Sequence, residues 1–243
     1  MSTVSSLARL NGWAHEKLGA ARTRLAIGVR VPLNRGELAG RKLIWPERVV
    51  SGPKFDRLGT IGDEDGIKMA AHEKLTADLA ARLKTSGTLL EIACGIGSHT
   101  VQFARQSGKV IALDLDAVKL MCAAHNAGVY GVRHKITFIG GDMFDERLMR
   151  HFQGRVDVVL FDSPFWGDQL AENNTIANRF IEQVKPRDRF AIRLPKTLDS
   201  RQIIQALEPN ELLAYHLGGE LKYYVAVRYF VNPPADKFTR IDL

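Results

Sequence analysis

Glu91, Gly95, Gly97 and Asp114 are residues whose types and spacing could hold a nucleotide-like ligand. The apolar run Leu89-Leu90 leads into Glu91-Ile92-Ala93 and then breaks at the turn Cys94-Gly95-Ile96-Gly97. From Thr100-Val101-Gln102-Phe103-Ala104 onward the pattern is helical. A strand, a glycine turn and a helix let backbone approach a ligand that a Cβ would hold off. A second apolar run, Val110–Asp116, carries Asp114 nineteen residues after Gly95. A carboxylate at the tip of that strand is placed to accept hydrogen bonds from both hydroxyls of a ribose. The third glycine of a dinucleotide turn is absent, with Thr100 in its place, and Glu91 would repel a pyrophosphate. The same acid suits a cation. The expected cofactor is therefore S-adenosyl-L-methionine, whose sulfonium and amino group are both positive, rather than a nicotinamide or flavin.

A second constellation follows the apolar run Val158–Phe161: Asp162-Ser163-Pro164-Phe165-Trp166. An exocyclic amine on a nucleobase is a poor nucleophile because its lone pair is delocalised into the ring. An acceptor for the amine N–H helps that nitrogen rehybridise as it attacks, and Asp162 can supply it, together with the carbonyl of Ser163 or Pro164. Pro164 stiffens the turn and removes a competing donor. Phe165 or Trp166 offers a face on which a base can stack. The bland alternative for both aromatics is packing beside the sheet.

The elements that must position these residues alternate. Strands are expected over 88–93, 109–113, 135–139, 156–161, 188–194, 211–217 and 222–231, with helices over 67–83, 98–106, 116–127, 145–152, 169–184 and 199–207. Alternation with short connections implies an α/β, Rossmann-like, doubly wound, mostly parallel seven-stranded sheet. The last two strands, separated by Gly218-Gly219, would form a C-terminal antiparallel hairpin on its edge. From Val31 to Gly66 the text is rich in Pro, Gly and charge and reads as largely non-sheet. The division expected is a small basic N-terminal extension, 1–66, folding over the active site, and a catalytic domain, 67–243.

Charge sharpens that division. Residues 1–50 hold nine Lys and Arg against three acids, which accounts for nearly all of the chain's net charge of +7. A basic arm on a balanced body suits a polyanionic partner, and Trp13 and Trp45 could stack on bases; the expected partner is RNA, bound through this segment. A merely solvated arm is the alternative. Two cysteines, Cys94 and Cys122, are too few for a disulfide framework, and the histidines outside the glycine turn have no metal-ligand spacing, so no metal is expected. No apolar run approaches the roughly 18 residues of a membrane span. With no secretory signal pattern, a cytoplasmic protein is expected, or a nuclear one in a eukaryote.

In collinear order over about residues 42–232, the chain resembles the RNA cap guanine-N2 methyltransferase family, that of trimethylguanosine synthase. The matching text is Lys54-Phe55-Asp56, Asp63-Glu64-Asp65-Gly66, the glycine-turn run, Val110 to Val132, Ile136 to Asp145, Asp157 to Asp168, and Arg193-Leu194-Pro195-Lys196. The resemblance implies the class I methyltransferase fold. It also implies that Glu91, Cys94, Gly95 and Gly97 line the methionine end of the cofactor, that Asp114 binds the ribose and Asp142 the adenine edge, and that Phe55 lies near the cofactor. The implied reaction is methyl transfer to guanine N2, with Asp162, Pro164, Phe165 and Trp166 as the catalytic set. The family's Ser/Asp-Pro-Pro-Trp-Gly is altered here. Counted without a gap from Asp157, Asp162-Ser163-Pro164-Phe165 occupies the motif; slid by one, Ser163-Pro164-Phe165-Trp166 does. Adenine-N6 methylation, a non-catalytic RNA-binding adaptor and a small-molecule methyltransferase remain open beside guanine N2. His99 could touch the methionine carboxylate or be solvated, and Lys196 could meet RNA phosphate or solvent.

Overall fold

The computed structural model describes residues 37–38, 41–44, 54–162, 170–235 and 238–243. Trp13, Trp45 and most of the basic arm lie outside these residues. Three short strands, β1 (Glu37–Leu38), β2 (Arg41–Ile44) and β3 (Gly62–Asp63), form a small antiparallel sheet in a stretch expected to be largely non-sheet. They are too short to show a period of two, and the Pro and Gly around them masks what signal they have.

The main sheet has eight described strands: β4 (Thr88–Ile92), β5 (Lys109–Asp114), β6 (Ile136–Gly140), β7 (Val158–Asp162), β8 (Arg189–Pro195), β9 (Glu211–Leu217), β10 (Glu220–Tyr229) and β11 (Phe238–Asp242). Their order is β11-β9-β10-β8-β7-β4-β5-β6. Pairs from β8 through β7, β4 and β5 to β6 are parallel, and β10 runs antiparallel to both β8 and β9. The sheet is thus mostly parallel with an antiparallel hairpin, as expected, but with one strand more. β11 joins β9 in parallel, so the hairpin is not the edge. That strand escapes a sequence reading because its alternation buries only Ile241.

Helices cover both faces, which is why Val158–Phe161 on β7 is a continuous apolar run and β4 carries Leu89, Leu90 and Ile92 on both its faces, all solvent-inaccessible. On one face lie α1 (Glu64–Met69), α2 (Glu73–Leu83), α3 (Ser98–Gln106) and α4 (Ala117–Val129); on the other lie α5 (Glu146–His151), α6 (Leu170–Val184) and α7 (Ser200–Leu207). The single helix expected over 67–83 is two. Chain direction changes at Ala70 and Ala71, whose helix-favouring type hides the break, and His72 caps α2 by accepting from the Lys74 N–H through Nδ1 at 3.2 Å. Helix α1 runs across position 66, and Phe55, Ile61 and Ile67 share one core with residues of the sheet and its helices.

The chain goes from β4 to β5 and β6 on one side, then returns to set β7 on the other side of β4. The carboxyl ends of β4 and β7 therefore flank a topological switch point, where open α/β sheets bind ligands. Over this crevice the segment before α1 is clamped by a side chain of α4. Buried Asn126 on α4 accepts from the Ile61 N–H at 2.8 Å and donates to the carbonyls of Ile61 and Ile96 at 2.9 Å each. Asn126→Ala would leave these three backbone groups unpaired, and we expect a loss of about 2–4 kcal/mol in urea unfolding. An unchanged midpoint would show that the clamp carries no stability.

Candidate active site

Between β4 and α3 the backbone takes three left-handed steps, at Ala93 (φ 63°), Gly95 (φ 56°) and Gly97 (φ 86°). Gly97 is required twice over, because a Cβ there would also stand 2.9 Å from Ala123 Cβ on α4. A close approach of another kind occurs at Gly66 on α1, where a Cβ would meet Ile96 Cγ2 at 2.4 Å. These two contacts press α1 and α4 against the turn. They enclose a cavity of about 410 Å³, within the usual range of small-ligand sites.

The cavity wall includes Cys94, Gly95, Asp114, Asp142, Asp162 and Arg193, with Gly66, Met69 and Ala70 contributed by α1 and the residue after it. Asp114, the last residue of β5, accepts from the Gly95 N–H at 2.7 Å and the Asp116 N–H at 2.9 Å. Those bonds tie the acid to the glycine turn and leave lone pairs for ribose hydroxyls. Burial nevertheless pushes its pKa above the ordinary value. Asp142 is exposed and accepts from the Phe144 N–H at 2.8 Å; Leu115, Met143 and Phe144 supply apolar wall beside it. Three carboxylates against the cations of Lys119 and Arg193, with an apolar pocket attached, fit an adenosine that carries positive charge. Asp114, Asp142 and the turn would hold the cofactor's nucleoside and methionine parts.

Asp162 ends β7 and is in register with Arg193 of β8. Arg193 Nε donates to Asp162 Oδ1, and its guanidinium lies 5.4 Å from the centroid of the Tyr223 ring on β10. The ring Nδ1 of His99 stands 3.4 Å from Asp162 Oδ2. Burial pushes the Asp162 carboxyl up, but the Arg193 charge and the His99 hydrogen bond outweigh it and hold the group below its ordinary pKa. Burial drives the His99 pKa below the ordinary imidazole value, against the pull of Asp162, which favours the neutral ring. Glu91, behind them on β4, is wholly buried; desolvation raises it well above a normal carboxyl despite the 2.6 Å hydrogen bond donated by Thr100 Oγ1. One polar atom from each of Glu91, His99 and Asp162 lies within 4.8 Å of the others.

The structure therefore brings Cys94, Gly95, Asp114, Asp142 and Asp162 to one cavity. Gly97 supports the turn from beneath, and Glu91 stands behind the wall rather than in it. Phe55 is 1% exposed in the core, with its ring 6.1 Å from that of Tyr130, and is not among the lining residues. Burial raises the Cys94 thiol well above its normal pKa, and it lines the cavity. Pro164, Phe165 and Trp166, with Ser163, lie outside the described residues. Lys196 is exposed and ion-paired to Glu220 at 2.5 Å. Sequence reasoning gave Arg193 no role. The sole available signal was a charge set inside the apolar run Phe190–Leu194. It also left His99 as a turn residue, although its place one step into a helix beside the sheet signalled burial.

Because the Glu91 pKa is raised on folding, the folded state binds its proton more tightly than the unfolded chain. That contribution to stability is fully present below the unfolded value near 4.5 and is lost as pH rises through the folded value. Glu91→Gln, which has no proton to lose, should gain in stability relative to the natural chain as pH rises from 5 to 8 in urea titrations. A difference that stays constant over this range would mean that Glu91 is already ionised in the folded protein at pH 5.

Residues 86–176 match the family model described as RNA cap guanine-N2 methyltransferase. The trimethylguanosine synthase of Schizosaccharomyces pombe is 32% identical over 89 residues, which cover 36% of this chain and 37% of that protein. The ribosomal RNA small subunit methyltransferase C of Alcanivorax borkumensis is 26% identical over 137 residues, covering 56% and 38%. The match thus spans little more than a third of each of these two relatives. Among solved structures, one from Porphyromonas gingivalis W83, assigned to the methyltransferases, superposes with a TM-score of 0.62 at 14% identity over 74% of this chain and 47% of that one. The human methyltransferase 10 domain containing protein gives 0.52 at 12% identity over 67% and 85%. Residues 86–176 are thus similar to the RNA cap guanine-N2 methyltransferase family, and the fold is the one seen in methyltransferase structures.

Proposed function

We propose that the chain methylates an exocyclic base amine of RNA, guanine N2, on a cap or in structured RNA. The observation that carries this reading is the place of Asp162. It ends β7 at the switch point and lines the same cavity as Asp114 and the glycine turn. S-adenosylmethionine, when bound, supplies a methyl group on a positively charged sulfur. Asp162 accepts the N–H of the amine, which pulls the nitrogen out of conjugation and aims its lone pair. Held down by Arg193, Asp162 is a weak base. That suffices, because the amine becomes acidic only as it is methylated, and its proton then passes to Asp162 or to water.

The guanine-N2 part rests on the family match over residues 86–176 and on the curated relatives, two of which bear names of RNA-modifying enzymes. Phe165 or Trp166 would stack the base, in either register of the motif. The basic arm, 1–50, would meet RNA phosphate. The direct test is transfer of labelled methyl to matched RNAs with and without a 7-methylguanosine cap, digested to nucleosides and identified by mass spectrometry. N2-methylated guanine supports the proposal, on the cap alone or within structured RNA. N6-methylated adenine moves the amine to another base, and bound cofactor with no label on either RNA overturns catalysis on RNA.

Two variants probe the roles. Asp162→Ala should bind cofactor nearly as the natural chain does and turn over ~10²–10³ more slowly, since one preorganised contact is lost. It would also remove the carboxylate that faces the buried Arg193, so Asp162→Asn serves as the better-folded partner, with a smaller loss of turnover. Natural turnover in both removes Asp162 from the reaction. Deleting residues 1–40 should weaken RNA binding at low salt and flatten its dependence on salt; equal affinity at low salt would show that the arm makes no phosphate contact.

A further inference from the structure

His99 is the second residue of α3, 1% exposed, its ring nearly parallel to that of Phe103 with centroids 6.2 Å apart. Its two nitrogens face different partners. Nδ1 meets Asp162 Oδ2 at 3.4 Å, while Arg193 Nε holds the other oxygen, Oδ1. Nε2 is buried without a hydrogen-bond partner, and so is Glu91 Oε1 in the same cluster. A neutral imidazole carries one N–H. Placed on Nδ1, it donates to the carboxylate and leaves Nε2 as an acceptor. Glu91, kept protonated by burial, then has the complementary O–H. A divalent cation is the other occupant these three side chains could suggest. The Arg193 guanidinium already supplies positive charge at Asp162, and the Thr100 hydroxyl already occupies Glu91 Oε2.

We infer that His99 is a positioning residue for Asp162, its Nδ1–H and the Arg193 Nε–H each holding one carboxylate oxygen so that the remaining lone pairs face the substrate amine. The inference rests on the reading of Asp162 given under the proposed function. Without His99 the carboxylate pivots on one hydrogen bond about its Cβ–Cγ axis. The acceptor then meets the amine out of alignment while the cofactor wall stays intact.

The first test needs no turnover. Long-range ¹H–¹⁵N spectra of the full chain should show His99 protonated at Nδ1 and bare at Nε2, and Asp162→Asn should perturb that resonance. A ring protonated at Nε2 alone overturns the inference. The second compares His99→Phe, which fills the volume without a donor, with His99→Asn, whose amide can reach the same oxygen. His99→Phe should lower kcat roughly 10- to 100-fold, the scale of a misaligned reacting group, with the Kd for S-adenosylmethionine within about twofold. His99→Asn should recover most of the loss. If His99→Phe keeps natural kcat while Asp162→Ala is impaired, His99 has no such role and the reading of Asp162 stands. If Asp162→Ala is itself unimpaired, both fall. A Kd that weakens in step with kcat would assign His99 to the cofactor instead. Should His99→Phe fail to fold, the tautomer in the natural chain still decides.

Discussion

The pair between Asp162 and Arg193 joins the ends of two neighbouring strands, and the rest of the site is arranged around it. The register of β7 with β8 sets the two residues side by side, and β10 places Tyr223 beneath the guanidinium. A carboxylate with 13% of its side chain exposed and a guanidinium with 7% cannot stand alone there. Losing either partner of such a pair costs about 3–5 kcal/mol. The pairing also limits the chemistry. A carboxyl whose pKa is held down by an adjacent cation takes protons poorly but accepts hydrogen bonds well. Methyl transfer to a conjugated amine asks for that combination, because attack needs an oriented N–H more than a strong base.

The cofactor side depends on close backbone contact as well as on charge. Gly97 lets α3 start against α4, Gly66 lets α1 lie on Ile96, and Asn126 fastens the strand leading into α1 to both. The residues before the sheet domain thereby become part of the cavity wall, which is why the segment from Lys54 to Ala70 packs with the domain. Tyr130 adds a second tie, donating to Asp56 Oδ1 at 2.7 Å and accepting from the Asp56 N–H at 3.0 Å. Asp114 is then the hinge between the two halves of the site. Its carboxylate holds the turn through the Gly95 N–H and faces the cavity where a ribose would lie.

Much of this was legible in the sequence, and the limits follow from physics. Strands buried on both faces announce themselves as apolar runs, so β4, β5, β7 and β8 are found within a residue or two. The glycine turn and Asp114 are visible because their spacing is local. Glu91 was placed against a cationic ligand by its charge. In the fold it is desolvated behind the wall, and burial, a tertiary property, removes that charge. Arg193 and His99 are separated from Asp162 by 31 and 63 positions in the chain, and neither type advertises a role until strand order and helix packing bring them to it. The missing signals for β11 and for the break at Ala70 are different in kind: one strand buries a single side chain, and one break is written in residues that favour helix.

The central claim, that Asp162 receives the amine of a guanine, is met most directly by a crystal structure of the full chain with S-adenosylhomocysteine and a guanine nucleotide. The account predicts the N2 amine about 3 Å from an Asp162 carboxylate oxygen, with the ribose of the cofactor on Asp114. A guanine that presents another edge to Asp162, or that binds away from β7 while the cofactor occupies the cavity, would contradict it.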